Sequence, residues 1–285
     1  MKKIKKAKLF IEQPAASFKL AAGLSLILLF SNCQEPSKGC LDAKATNFDV
    51  TATKPCEDNC CTYPNLTLQT EYISDNVSKD KFKFENKYKI GLDSIQIIEG
   101  QFYLSDFQLF TLENKPVTVI DSTPLYRLKD TINTLSNYAL VGRNNGFDFK
   151  IGSFNQSGKF TKLQFKVGLN DTANKTIPSK MPSSHPLSIQ RDSMYLSAQN
   201  TYIFNRIAVV KWQGQSKKDT MRFYITTPQN VVIPKNMSFT EGFDVAIPLT
   251  VNYLKFIEGV NFSADENTIK AKIVSNYDKV FSINF

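Results

Sequence analysis

Short runs of alternating apolar and polar residues constrain the fold of this 285-residue chain more than any other feature. Residues 66–72 and 160–169 alternate with a period of two, the period of a half-buried β-strand. Residues 202–210 form a denser β-branched and aromatic run, typical of a central strand. Apolar residues at helical spacing recur only near the C-terminus, from 267 to 281. The sequence therefore predicts an all-β fold, an antiparallel β-sandwich or open barrel with a short C-terminal helix.

Other predicted strands are less regular, and they cover residues 94–110, 117–120, 125–128, 146–152, 221–226 and 243–251. The first is long enough to contain a break, which we expect at Gly100 or at Ser105-Asp106. The polar stretch 212–219 predicts a hairpin between strands around residues 207 and 222. Pro248 cannot donate a ladder hydrogen bond, so it favours an edge position or a bulge in the last strand.

The N-terminus has the pattern of a secretory signal. Five lysines lie within the first eight residues, and residues 20–30 are almost entirely apolar but too short to span a bilayer comfortably. We therefore expect residues 1–32 to be a signal peptide. The residues before Cys33 resemble a bacterial lipobox, in which cleavage exposes a cysteine that receives the lipid. The alternative is ordinary cleavage that leaves Cys33 as a free thiol.

Lipidation of Cys33 is favoured because this residue would otherwise be an odd cysteine in an oxidising compartment. Several acyl chains would then hold the protein stably on a membrane. The expected location is the cell envelope, at the outer membrane.

The charge balance gives no reason to expect nucleic acid as a partner. The formal net charge is +9, but residues 1–32 carry six lysines and one glutamate and so account for five of these charges. A net charge near +4 is ordinary for an exported protein of this size.

Four further cysteines, Cys40, Cys56, Cys60 and Cys61, lie within 22 residues. In an exported segment they imply two disulfides. Adjacent cysteines rarely bond to each other, so Cys40 is expected to pair with one of Cys60 and Cys61, and Cys56 with the other. Zinc is disfavoured by the ligand spacing. Residues 33–65 are therefore predicted to form a lipidated, disulfide-rich spacer module, followed by one domain over residues 66–285.

The sequence motifs of this module, including GCLD at 39–42 and ATNFD at 45–49, resemble those of a short module common in surface proteins of Bacteroidota. That module is loosely similar to calcium-binding aspartate-rich repeats. The oxygen ligands that would bind Ca²⁺ here are Asp42, Asn47, Asp49, Glu57 and Asp58. The alternative, which we favour, is that these side chains serve turns.

The predicted strand pattern stops between Leu169 and Met194. About 25 residues without periodicity are unusual inside a compact domain and tend to be functional. The stretch contains Met181 and His185, the only histidine, and ends at Met194. Thioethers and an imidazole suit Cu(I), so these three residues are the candidate metal ligands.

Several motifs, in the same order, resemble those of the MbnP-like copper-binding protein family. They are FYLSDFQL at 102–109, YRL at 126–128, GKFTKLQFKVGL at 158–169, HPL at 185–187, MYLSAQNTYIF at 194–204 and AKIVSN at 271–276. Members of the family are exported all-β proteins, and some bind copper. The resemblance implies the same fold here and places His185 on a matching family position.

Two departures support an alternative function. Leu196 and Ala198 stand where the family motif has tryptophans. The chain is then a non-catalytic surface adhesion or ligand-binding lipoprotein that has lost the metal site. An enzyme is not expected under either reading, because His185 is the only histidine available as a triad base and no G-x-S-x-G elbow occurs. A glycosidase could work with two carboxylates alone, such as Asp148 and Glu99, but the sequence does not place them together.

Overall fold

A computed structural model describes residues 35–57, 59–90, 93–135, 137–189 and 194–285. The predicted signal peptide, the lipidation site Cys33 and the calcium candidate Asp58 lie outside these residues.

The described strands, in chain order, are β1 (Lys38–Gly39), β2 (Lys54–Pro55), β3 (Asn65–Ile73), β4 (Tyr88–Ile90), β5 (Asp93–Thr111), β6 (Pro116–Val117), β7 (Ser122–Tyr126), β8 (Thr131–Leu135), β9 (Ala139–Gly142), β10 (Asp148–Ser153), β11 (Gly158–Val167), β12 (Tyr195–Leu196), β13 (Thr201–Tyr202), β14 (Asn205–Gln213), β15 (Ser216–Ile225), β16 (Gln229–Phe239), β17 (Val245–Asn252) and β18 (Phe281–Ile283). The helices are α1 (Asp171–Asn174), α2 (Tyr253–Phe256), α3 (Glu266–Ser275) and α4 (Tyr277–Val280), with a 3₁₀ turn at Pro178–Lys180.

Two sheets pack face to face, which confirms the predicted all-β sandwich. The larger has the order β15-β14-β5-β11-β16, and β4, β6 and β9 also pair with β5. The smaller has the order β10-β3-β17-β18. The pairing of β3 with β17 is parallel, whereas the other pairings within these two sheets are antiparallel. A parallel pair is possible here because the two strands are far apart in the chain and need no tight turn between them.

The main core fills the space between the two sheets. The side of β11 that was predicted to be apolar supplies Phe160, Leu163, Phe165 and Val167, which are all buried there. Because successive side chains of a strand point to opposite faces, Phe102 of β5 enters this core while its neighbour Tyr103 points away from it. Both residues are fully buried, so the outer face of the large sheet must also be covered near Tyr103.

A second hydrophobic cluster provides that cover. Its buried members come from β5, β7, β9, the 170–189 stretch and the residues around β13, and they are Tyr103, Leu125, Tyr138, Leu140, Leu169, Ala173, Met181, Leu187, Met194, Tyr202, Ile203 and Phe204. The aperiodic stretch that follows β11 is therefore a packed third layer at one end of the sandwich.

Several strand predictions need adjustment. β5 is continuous over 19 residues, and the predicted breaks are register shifts near Ile98 and Asp106. Tyr202 belongs to the small β12–β13 hairpin, and the central strand begins at Asn205. The predicted hairpin around 207 and 222 is β14–β15. Pro248 lies opposite Gln69, one residue before β18 begins to pair with β17, so β17 is locally an edge strand there.

The C-terminal helix is present as α3, with the short α4 after it. The Asp265 side chain caps α3 by accepting a hydrogen bond from the Thr268 amide at 3.0 Å. Phe281, predicted to end the helix, begins β18 instead and packs in the main core. In the described part of the chain, no helix combines the length and apolar character that crossing a membrane requires.

The cysteine module is tied by two disulfides, Cys40–Cys61 and Cys56–Cys60. This agrees with the prediction that Cys40 and Cys56 take different partners. β1 and β2 form a small parallel pair inside the module. The module contacts the sandwich where the carbonyls of Ala43 and Ala45 approach Gly242.

Candidate functional site

The third layer begins at a strained position of β5. Asp106 has a φ of 55°, in the left-handed region, where the β5–β11 register shifts. Its carboxylate accepts hydrogen bonds from Lys166 Nζ at 2.8 Å and from Asn170 Nδ2 at 2.9 Å. Asn170 in turn caps α1, because its Oδ1 accepts the Ala173 amide at 2.9 Å. Asp106 therefore fixes the start of the aperiodic stretch to the sheet.

Two buried tyrosines hold the HPL motif. Tyr103 Oη donates to the carbonyl of Pro186 at 3.3 Å, and Tyr202 Oη donates to the carbonyl of Leu187 at 2.6 Å. Their rings meet edge to face, with centroids 5.6 Å apart. Burial raises the pKa of both phenols well above the ordinary value, so both remain donors at physiological pH.

His185 closes this turn with its own ring. Nδ1 accepts the backbone amide of Leu187 at 3.1 Å, and the ring packs against Tyr138 with centroids 5.8 Å apart. Desolvation lowers the pKa of the imidazole from 6.5 to about 4. His185 is therefore neutral near pH 7, and the Leu187 contact selects the tautomer with its proton on Nε2.

This arrangement bears on the predicted Cu(I) ligands. Met181 and Met194 are both buried in the second cluster, and His185 packs against Tyr138 of the same cluster. Met194 is held by the Ile203 amide, which donates to its carbonyl at 2.8 Å. A metal on Nε2 would need the proton on Nδ1, where the Leu187 amide already donates. In this conformation copper binding through Nε2 would require the Leu187 hydrogen bond to break.

Within the described ranges, no three His, Cys, Asp or Glu side chains are grouped as a metal site would require. The positions of the missing tryptophans, Leu196 and Ala198, lie on the β12–β13 hairpin. Leu196 packs against the second cluster, and Ala198 is exposed in the turn. The copper prediction for Met181, His185 and Met194 therefore stays a prediction.

The calcium candidates of the module serve turns instead. Asp42 accepts the Lys44 amide at 3.0 Å and the Tyr63 hydroxyl at 2.9 Å. Asp49 accepts both the amide and the hydroxyl of Thr51, at 2.8 and 2.7 Å. These contacts lower the pKa of both carboxyls, with the Lys44 and Thr51 hydrogen bonds as the largest causes.

The other two described candidates are also engaged. Asn47 bridges two backbone groups, donating to the Cys60 carbonyl at 2.8 Å and accepting the Thr62 amide at 2.9 Å. Glu57 forms an exposed ion pair with Lys38. The turn interpretation therefore accounts for Asp42, Asn47 and Asp49.

Sequence reasoning missed a cleft that lies beside the third layer. It has a volume of about 740 Å³, within the range of small-molecule sites. One wall is the turn between β7 and β8, residues 127–130. The other wall is formed by Lys175, Ile177, Pro178, Ser179, Ile189, Tyr195 and Asn200.

Backbone pairing joins the two walls. Arg127 and Thr176 form an isolated antiparallel bridge, and the Ile177 amide donates to the Tyr126 carbonyl at 2.8 Å. Arg127 also closes its own turn by an ion pair with Asp130. The cleft thus joins segments about 50 residues apart in the chain, and no local motif marks that pairing in the sequence.

Comparison with known proteins identifies the family of this chain. An all-β sandwich preceded by a module with two disulfides belongs to the class of proteins that fold in oxidising compartments. A family model described as MbnP matches residues 64–275, and the chain belongs to this family. A solved structure, MbnP from Methylosinus trichosporium, is 14% identical over 71% of this chain and 80% of that chain, with a TM-score of 0.43. A search of curated proteins gave no significant match.

Proposed function

We propose that this protein is a lipid-anchored, non-catalytic binding protein of the cell envelope. The observation that carries the proposal is the cleft of about 740 Å³ between the β7–β8 turn and the third layer. The aperiodic stretch that follows β11 is packed into a fixed wall of this cleft. Binding proteins commonly place such irregular segments on a rigid sandwich.

Export and anchoring are supported by the N-terminal features. The disulfides Cys40–Cys61 and Cys56–Cys60 require an oxidising compartment to persist. A lipid on Cys33 would lie only five residues before Lys38, where the module begins to form β structure. The module would then act as a spacer between the outer membrane and the sandwich.

A non-catalytic role is supported by the state of His185. The imidazole is the one side chain of this sequence whose ordinary pKa suits a general base at neutral pH. Here Nδ1 is engaged by the Leu187 amide and the ring is desolvated, so the histidine serves to close a turn.

Cu(I) binding by Met181, His185 and Met194 is the second candidate. It is favoured by family membership and by one observation: two thioethers and the imidazole all pack on the same buried cluster. If this candidate is right, copper is a bound cargo and takes part in no reaction.

Anchoring is tested by fractionating cells that express the chain or its Cys33→Ser variant. We expect the wild type in the outer-membrane fraction with an acylated N-terminus, and the variant without acyl groups. Extraction of the wild type by salt alone, or an unmodified Cys33 thiol in the mature protein, would contradict the anchor.

Copper is tested by Cu(I) competition titration of the Cys33→Ser chain, which lacks the one thiol predicted to be unpaired. If the site exists, His185→Ala and the double variant Met181→Leu/Met194→Leu each lose one equivalent of copper. Met237→Leu is the matched control, because Met237 is equally buried but lies in the main core. Absence of stoichiometric binding by the parent would exclude this candidate.

A further inference from the structure

The cleft beside the third layer combines an exposed apolar lining with positively charged side chains at its rim. Leu128 at the tip of the β7–β8 turn is 82% exposed, and Ile189 on the other wall is 70% exposed. Ile177, Pro178 and the ring of Tyr195 continue the apolar lining between them. An exposed apolar surface inside a concave site indicates that a ligand with an apolar part covers it.

The rim of the cleft is cationic. Arg127 is neutralised locally by Asp130. Lys129 and Lys175 line the cleft from two different segments, and neither has a carboxylate within ion-pair distance among the described residues. Among the described lining residues, these two lysines thus add two positive charges that no ion pair compensates, and Ser179 and Asn200 add polar groups to the same lining.

We propose that this cleft binds a small organic anion with an apolar body, one acidic group of which lies between Lys129 and Lys175. The inference rests on the proposed binding function and specifies the ligand class. Charge complementarity favours an anion over a neutral or cationic ligand, because a cation would face both lysines. The volume suits a molecule of drug-like size and is too small for a folded partner.

The test uses 8-anilino-1-naphthalenesulfonate as the anionic probe and N-phenyl-1-naphthylamine as its uncharged counterpart. Fluorescence titration of the Cys33→Ser chain avoids detergent and keeps all described residues. We expect one saturable site for the sulfonate, with markedly weaker binding of the uncharged probe. Binding of the sulfonate should weaken as salt is raised, because the lysines are exposed.

The variant Lys129→Gln/Lys175→Gln should weaken sulfonate binding about tenfold and change binding of the uncharged probe little. Its matched control is Lys217→Gln/Lys218→Gln, which removes two exposed lysines at the start of β15. At one position, Ile189→Glu should weaken binding much more than Ile189→Gln, since both remove the apolar side chain and only one adds a negative charge.

Equal effects of the two lysine double variants would overturn the proposal, and so would equal affinity for the two probes. Weak binding at many sites would overturn it as well. None of these outcomes bears on Cys33 acylation, so failure of the ligand class is distinguishable from failure of the anchored-protein proposal.

Discussion

Tyr202 and Leu187 are joined by a buried hydrogen bond of 2.6 Å, from the phenol of Tyr202 to the Leu187 carbonyl, 15 residues earlier in the chain. The bond links the start of the central-strand region to the HPL turn. Tyr103, from the other side of the same cluster, donates to the neighbouring carbonyl of Pro186. The motifs that contain Tyr103 and Tyr202 thus both bind the HPL motif, and these contacts fix one wall of the cleft.

Tyr202→Phe should lower the free energy of unfolding by about 1–2 kcal/mol, because it leaves the Leu187 carbonyl buried without its donor. Denaturant unfolding measures the change. Tyr224→Phe is the control, since Tyr224 lies exposed on β15. A Tyr202→Phe protein as stable as this control would show that the bond contributes nothing.

The single histidine should make stability depend on pH in a specific window. The folded pKa of His185 is about 4 and its ordinary value is 6.5, so the unfolded chain binds the proton more readily between these values. The contribution of His185 is complete above pH 6.5 and is lost as the pH falls through 4. Because the ring is partly exposed, we expect a loss of about 2 kcal/mol.

His185→Gln should remove this pH-dependent term while leaving the titration of the carboxyls in place. The difference between the two unfolding curves at pH 4.5 and 7 is the measurement. The imidazole resonances in an NMR titration give the pKa directly, since no other histidine overlaps. A folded pKa near 6.5 would contradict the buried, neutral ring.

Asp106 should tolerate asparagine far better than alanine. Its φ of 55° suits Asp and Asn but is strained for alanine, and the Oδ1 of asparagine can still accept one of the two hydrogen bonds that Lys166 and Asn170 donate. We expect Asp106→Ala to cost about 2 kcal/mol and Asp106→Asn roughly half of that. Thermal unfolding of both variants tests this order. Equal losses would mean that the left-handed backbone matters little.

The two disulfides should contribute unequally to the module. Cys40–Cys61 closes a loop with a sequence separation of 21, and Cys56–Cys60 closes one of 4. Loop-closure entropy gives about 3 kcal/mol for the first and about 2 kcal/mol for the second. Limited proteolysis of paired Cys→Ser variants should show earlier cleavage within residues 35–64 for the first pair, with the sandwich intact. Earlier cleavage in the second would contradict this.

The sequence predicted the sandwich because its best strands are half-buried. Phe160, Phe165 and Val167 alternate with polar residues, and alternation reports a strand with one core face. β16 was missed although it spans 11 residues, because Pro234 interrupts the apolar pattern. A proline is tolerated there since β16 is an edge strand of the large sheet.

The site was predicted only in part, for a related reason. The aperiodic stretch was singled out from the sequence and part of it lines the cleft, but Met181 and Met194 are equally compatible with metal ligands and with core residues. Only the tertiary structure shows that Tyr103 points to a second cluster, because the direction of a side chain depends on the strand register. The far wall of the cleft, at Leu128 and Lys129, comes from a distant hairpin that no local spacing reveals.

The most direct test of the account is native-state hydrogen exchange of the stretch from residue 171 to residue 189. The second cluster and the Tyr103 and Tyr202 hydrogen bonds fix this stretch as a wall of the cleft. Its amides, including Leu187 and Ile177, should exchange far more slowly than those of the exposed turn at residues 75–80. Tyr202→Phe should raise the rate at Leu187. Exchange as fast as in the exposed turn would contradict the account, because the cleft would then have no fixed wall.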